Sequence, residues 1–164
     1  MTMIRLVEQK DWDKVWSFVE PVFRAGMTYT VSPKIRKSEA YEFWVTVPAE
    51  TFVALDDDGA ILGTYFIKPN QPALGDHICN CGYIVSAEAR GRGVASDMCL
   101  HSQRIALDHG CLGMQFNFVV STNEGAIRLW QSLGFEIVGT LPDAFRHPEQ
   151  GFVDAYVMFK KLRP

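Results

Sequence analysis

Apolar positions along this chain recur in two periods, and the switches between them mark out its elements. Residues 3–8 read as a first strand. From Asp11, a helix-capping residue type, Trp12, Val15, Trp16, Val19 and Val22 or Phe23 share one face of a helix to about Arg24, which Ala25-Gly26 ends. Ser32-Pro33 has the form of a second helix start. That helix is expected to run to about Val45, with Ile35, Tyr41, Phe43 and Trp44 as its apolar content and Pro48 barring continuation. Residues 51–55 and 61–67 flank Asp56-Asp57-Asp58-Gly59, the turn chemistry of a hairpin. Residues 68–76 hold Pro69, Asn70, Pro72 and Gly75 and read as a loop. A fourth strand follows at 77–85, then a Gly-rich turn, then a helix at 96–109 that stops near Gly110. Residues 115–120 make a fifth strand, 124–133 a helix ended by Gly134, and 135–141 a sixth strand. A loop at 142–151 leads to a last strand at 152–162. The order βααβββαβαββ predicts an α/β fold in one domain over residues 1–164. Its central mixed sheet has about seven strands, antiparallel in the first half and partly parallel in the second, with about four helices on both faces.

Composition narrows the function. The chain has 164 residues, enough for one adequate core, with 48% apolar and 21% charged positions. No apolar run reaches the ~18 residues of a membrane span, and residues 1–10 lack a signal-peptide core, so a cytoplasmic protein with no membrane partner is expected. The net charge of -3 argues against a nucleic-acid partner; the short basic patch Lys34, Arg36, Lys37 reads as a solvated face or a contact for acidic groups. Cys79, Cys81, Cys99 and Cys111 form no C-x-x-C pair and no zinc spacing, so no metal is expected. They read as reduced, mostly buried thiols, with a catalytic thiol on the fourth strand as the alternative.

Two segments carry chemistry. Arg90-Gly91-Arg92-Gly93-Val94-Ala95 lies between a strand and a helix. Glycines there let the backbone approach a ligand, and the free N–H groups of a helix start favour an anion. About 30 residues on, Asn123-Glu124-Gly125-Ala126-Ile127-Arg128-Leu129-Trp130-Gln131-Ser132-Leu133-Gly134-Phe135 opens a second helix at a strand end. Asn123 can cap that helix or present its amide to a ligand, and Gly134 suits a left-handed C-cap.

The two segments resemble the R/Q-x-x-G-x-G/A loop and the N-x-x-A-x-x-L-Y-x-x-x-G-F signature of the GNAT superfamily of acetyl-CoA-dependent N-acetyltransferases. The resemblance implies that acetyl-CoA is the acetyl donor. Backbone near Ile84 and Val85 would pair with its pantetheine arm, and backbone N–H groups from Arg90 through Ser96 (Arg90, Gly91, Arg92, Gly93, Val94, Ala95, Ser96) would take its pyrophosphate, with Asn123 touching the cofactor. Trp130 stands where the family often has a Tyr that protonates the leaving thiolate; the indole donates a hydrogen bond to the sulfur or simply packs. The implied acid then falls to Tyr156, Tyr83, Ser121 or water.

The acceptor amine must be neutral to attack. At pH 7 that costs about 4.6 kcal/mol for a lysine-like amine of pKa ~10.4, but only about 1 kcal/mol for an α-amine near 7.8. A base is therefore sought on the fourth strand, among Asp76, His77, Asn80 and Cys81, with His77 the best matched. The oxyanion would lean on a backbone N–H near Ile84. Met27 and Tyr29 lie in the connection between the first helices as candidate substrate contacts; Arg146 or His147 would hold a substrate carboxylate, and Asp154 a substrate cation. The expected partner is a small-molecule amine or an amino-acid-like acceptor, with a homodimer compatible with the fold. A protein N-terminal or lysine acetyltransferase, and a non-catalytic acyl-CoA sensor, are the competing readings.

Overall fold

The chain runs through β1 (Met3–Leu6), α1 (Trp12–Ala25), α2 (Lys37–Tyr41), β2 (Glu50–Leu55), β3 (Ile61–Pro69), β4 (Ile78–Val85), α3 (Val94–Asp108), β5 (Gly113–Val120), α4 (Glu124–Ser132), β6 (Glu136–His147) and β7 (Gly151–Lys161). This architecture comes from a computed structural model, which describes residues 2–163. The seven strands form one mixed sheet in the order β1-β2-β3-β4-β5-β7-β6, with four helices, as the hydrophobic pattern predicts. Neighbours from β1 to β4 are antiparallel, β4 and β5 are parallel, and β7 pairs antiparallel with both β5 and β6.

Helices cover both faces because the strands alternate two apolar sets. Tyr65, Ile67, Cys79, Cys81, Phe116 and Met158 join α3 and α4 in one buried cluster; Val53, Phe66 and Ile84 join α1 and the α2 region in another. Turn chemistry punctuates the elements as read. Gly26 and Gly134 adopt left-handed conformations (φ 64° and 94°) where α1 and α4 stop. Asp56 Oδ1 accepts N–H bonds from Asp58 and Ala60 in the β2–β3 hairpin.

Four local expectations are corrected. Ser32-Pro33 does not start the second helix; Ser32 Oγ accepts from the Lys34 N–H in a turn. The helix begins at Lys37, because Glu39 closes a capping box onto the Arg36 N–H (2.8 Å). It then widens into a π-helical turn, Glu42–Thr46, where Val47 N–H reaches the Glu42 carbonyl (2.9 Å). Asp11 does not cap α1 with its side chain. It is buried, takes a two-point bond from Arg5 (2.7 and 3.0 Å) and accepts the Glu8 N–H (2.7 Å). The region 142–147, expected as loop, continues β6 across an irregularity between Leu141 and Phe145, with Asp143 at φ 51°. Finally, β3, read as ending at Ile67, runs on to Pro69.

The Arg5 hydrogen bond holds the Asp11 carboxyl below its ordinary pKa, against the opposing effect of burial. A depressed folded-state pKa stabilises above the unfolded value and is lost as pH falls through the folded one. Asp11→Asn is expected to cost about 1–3 kcal/mol at pH 7 in urea unfolding, with the deficit shrinking below pH ~4. A deficit unchanged at pH 3 would contradict this assignment.

Candidate active site

The strands β4 and β5 run parallel but pair only at Ile78 with Gly113 and Cys79 with Met114. Beyond that they part. At the closed end, a Cβ on Gly113 would meet Phe159 Cζ at 2.6 Å and Ile78 Cδ1 at 3.1 Å, so only glycine lets the strands meet there. Further along, Tyr83, Phe116 and Trp130 form a ring cluster on the α3–α4 side of the sheet, with centroids 5.0–5.8 Å apart. Asn80 bridges the opening, donating from Nδ2 to the Gln115 carbonyl (2.9 Å).

Parting the strands leaves backbone groups free. Ser86 donates its N–H to Leu62, and the Ile78 carbonyl accepts from Asn70, both at 2.8 Å, so even-numbered residues of β4 carry the ladder to β3. Antiparallel alternation then turns the backbone of Cys81, Tyr83 and Val85 toward β5, where no strand receives it. Ile84 belongs to the β3 ladder. The backbone donor expected near Ile84 therefore falls to Tyr83 or Val85.

A cavity of about 930 Å³ occupies the opening. At one end lies the glycine-rich turn. Gly91 and Gly93 are left-handed (φ 76° and 80°), and a Cβ at either would meet nothing within 4 Å; the glycines serve conformation, and the space beside them is open. The first intrahelical bond of α3 is Asp97 N–H to Gly93 (3.0 Å), so the N–H groups of Val94, Ala95 and Ser96 have no backbone partner. Those of Arg90 and Arg92 make long turn bonds (3.4 Å) to Ala87 and Ala89. The Arg90 side chain lines the cavity. Asn123 lines it too, and its side chain does not cap α4.

The other end is aromatic. Trp44 is fully buried and fixed by Nε1 donating to Thr64 Oγ1 (3.1 Å), while Thr51 donates to the Trp44 carbonyl (2.7 Å). This anchors the π-helical turn and sets its neighbour Phe43 at the cavity wall. Phe66 meets Trp44 edge-on at 4.8 Å and lies over Gly82. Tyr29 reaches in and donates to the Tyr83 carbonyl (3.0 Å); burial raises its pKa, so it stays protonated. Tyr83 shares a 2.7 Å hydrogen bond with Ser102, and burial holds it protonated as well.

Of the residues singled out from sequence, Tyr29, Cys81, Ile84, Val85, Arg90, Gly91, Gly93, Val94, Ala95, Ser96, Asn123 and Trp130 line this cavity. Arg92 is on the same turn but does not line it. Met27 lines a neighbouring space of about 430 Å³ that shares Arg90 and Asn123. His77 is exposed at the closed end of β4, five residues or about 17 Å from Gly82. Tyr156 packs against the α3–α4 core. Arg146 is exposed with its guanidinium 5.7 Å from the Phe152 ring centre. Asp154 accepts the Asp143 N–H (3.0 Å), and the Nδ1 of buried His147 takes the N–H groups of Glu149 and Gln150 (3.1 Å each). Those hairpin groups serve the β6–β7 connection rather than the cavity. Asn80 and Tyr83, also named from sequence, line it as well, whereas sequence reading missed Lys68 and Asn117, which line it too. No Asp, Glu or His among the described residues does.

All four cysteines are buried and unpaired. Contact with Cys81 and burial push the Cys79 thiol up, and burial raises Cys111 to about 11, which keeps both protonated and unreactive. No cluster of His, Cys, Asp or Glu among the described residues is placed to hold a metal ion, and no helix among them is long and apolar enough to cross a membrane.

A strand pair opened beside a glycine turn at a helix start has the form that accommodates an extended, phosphate-bearing ligand. The profile of the acetyltransferase (GNAT) family matches residues 12–135, and the chain belongs to that family. It is 32% identical to N-acetyltransferase aca1 of Schizosaccharomyces pombe, over 85% of this chain and 75% of that protein. The solved structure of a GCN5-related N-acetyltransferase from Kribbella flavida superposes with a TM-score of 0.92 at 39% identity, covering 98% of this chain and 97% of that one. A phosphinothricin acetyltransferase from Sinorhizobium meliloti, solved with acetyl-CoA, shares the fold (TM-score 0.86, 18% identity, 99% and 89% covered). Members of the family use acetyl-CoA, and the open glycine turn, free N–H groups and unpaired strand edge fit it.

Gly82 lets the Phe66 ring pack directly onto β4. A Cβ there would sit 2.6 Å from Phe66 Cε1 and 2.9 Å from Cζ. Gly82→Ala is expected to lower stability by about 1–3 kcal/mol through this overlap, read as a lower midpoint in urea. An unchanged midpoint would show that Phe66 yields freely.

Proposed function

We propose that this chain is a single acetyltransferase domain that moves the acetyl group of acetyl-CoA to the amine of a small molecule by direct attack. The observation that carries the reading is the cleft itself, open between β4 and β5, with a phosphate-type turn at one end and an aromatic lining at the other. The donor supplies an activated thioester; the chain's residues bind, orient and shield it. Val94, Ala95 and Ser96 N–H groups and Arg90 would take the pyrophosphate, while the Val85 backbone and the Tyr83 N–H would lie along the pantetheine arm as an added strand does. Trp130 and Phe116 line the opening and keep water from the thioester. A Tyr83 or Val85 N–H faces the developing oxyanion.

No carboxylate or imidazole lines the cavity to act as base. The cationic Lys68 and Arg90 disfavour a further positive charge, so the acceptor amine is bound more readily as the neutral species, its proton leaving to water. The pocket's aromatic lining of Tyr29, Phe43 and Phe66 suits a small amine better than a protein chain. The absence of an in-cavity base and the hydrogen-bond-free Trp130 indole favour, as second reading, an acyl-CoA-binding sensor without turnover.

Thiol release from acetyl-CoA across an amine panel separates the two. Turnover with product mass increased by one acetyl group is expected; tight CoA binding with background release for every amine would establish the sensor. With no in-cavity base, kcat/KM is expected to rise with pH up to the acceptor's own pKa. A limb near 6.5 would reveal a histidine base. Arg90→Glu is expected to weaken CoA binding by calorimetry on the order of 10- to 100-fold, more than Arg92→Glu does. Equal, small effects would remove Arg90 from the site.

A further inference from the structure

We infer that the acceptor is a compact amine carrying a carboxylate, and that Lys68 is the residue that reads it. This rests on the acetyltransferase reading above and names the substrate class of the same cavity.

The register makes the argument. Lys68 on β3 lies directly opposite Asn80 on β4, and Phe66 directly opposite Gly82. Residues two apart share a face, so these two pairs lie in line on the α1 side of the sheet. The Phe66–Gly82 pair marks the depth of the acceptor end, where Tyr29 closes over the Tyr83 carbonyl. The Lys68–Asn80 pair is one step outward, about 7 Å along the strands. Both members line the cavity.

Lys68 is half-buried and has no salt-bridge partner among the described residues; its ammonium sits 5.5 Å from the Phe66 ring centre. The ring face steers the ammonium over the acceptor pocket without neutralising it. Asn80 is tied by one Nδ2 hydrogen to Gln115, and its neighbour Asn117 is held between Gln115 and Asn70 (2.9 and 2.6 Å). The outer rim thus offers one unpaired cation flanked by oriented amides. No Asp or Glu among the described lining residues offers a counter-charge to a second cation. An acceptor with its anion within a few bonds of the amine satisfies Lys68 while the amine reaches Gly82. A diamine or a lysine-rich peptide would instead meet an unpaired like charge.

The residues that sequence reading assigned to a substrate carboxylate and cation, Arg146, His147 and Asp154, do not line the cavity. Among the described residues that do line it, Lys68 and Arg90 are the charged ones, and Arg90 belongs to the glycine turn.

The test compares each common α-amino acid with its own carboxamide, beside putrescine, as acceptors with acetyl-CoA. Thiol release and product mass are followed in wild type, Lys68→Met, Lys68→Arg and Lys68→Glu. The carboxamide amine is the less basic, so the acid-to-amide ratio is compared between variants, which cancels the intrinsic difference. Wild type is expected to turn over at least one acid. Lys68→Met should lower the acid-to-amide ratio of kcat/KM about 10- to 100-fold, mainly through KM. Lys68→Arg should keep much of the preference, and Lys68→Glu should favour amides. A ratio in Lys68→Met equal to that of wild type, or a wild-type preference for putrescine, overturns the assignment while leaving the acetyltransferase intact. No turnover with any amine overturns the acetyltransferase reading and this inference with it.

Discussion

Everything in this molecule that bears on chemistry follows from two parallel strands that pair for two residues and then separate. Parallel neighbours normally satisfy each other's backbone along their length, and unpaired groups in a sheet interior are costly. Gly113 lets Phe159 and Ile78 close the base, while Tyr83, Phe116 and Trp130 cluster on the α3–α4 side of the sheet, with Phe135 stacked on Phe116 at 4.3 Å. Trp130 thus has a packing duty whether or not its N–H touches a ligand.

The cavity's electrostatics are one-sided. Cations stand at both its ends, Arg90 by the glycine turn and Lys68 at the acceptor rim, and no carboxylate lies between. That arrangement favours anions at the two extremities and a neutral nucleophile in the middle. A base becomes unnecessary for an amine whose own pKa is near neutrality, since freeing it costs about 1 kcal/mol at pH 7. It becomes indispensable for a lysine-like amine.

Much of this was legible in the sequence because it resides in local chemistry. The left-handed glycines 26, 59, 93 and 134, the hairpin at Asp56, and the amphipathic face of α1 are short-range signals, and they read correctly. What escaped depends on register between distant strands. Lys68 sat in a stretch read as loop because of Pro69 and Pro72, yet β3 runs to Pro69 and sets Lys68 across from Asn80. The β6–β7 hairpin misled for a similar reason. Arg146, His147 and Asp154 look like site chemistry, but the hairpin spends Asp154 and His147 on its own backbone. The second helix was misplaced because a Ser-Pro start signal competed with Glu39, whose capping box prevailed.

The most direct test of the account is amide hydrogen exchange with and without acetyl-CoA. If the opening between β4 and β5 receives the cofactor, added protection should concentrate at Tyr83, Val85 and Val94 through Ser96, with Ile84 little changed because its amide already belongs to the β3 ladder. Protection spread evenly over the chain, or absent from those amides while acetyl-CoA is bound, would contradict it.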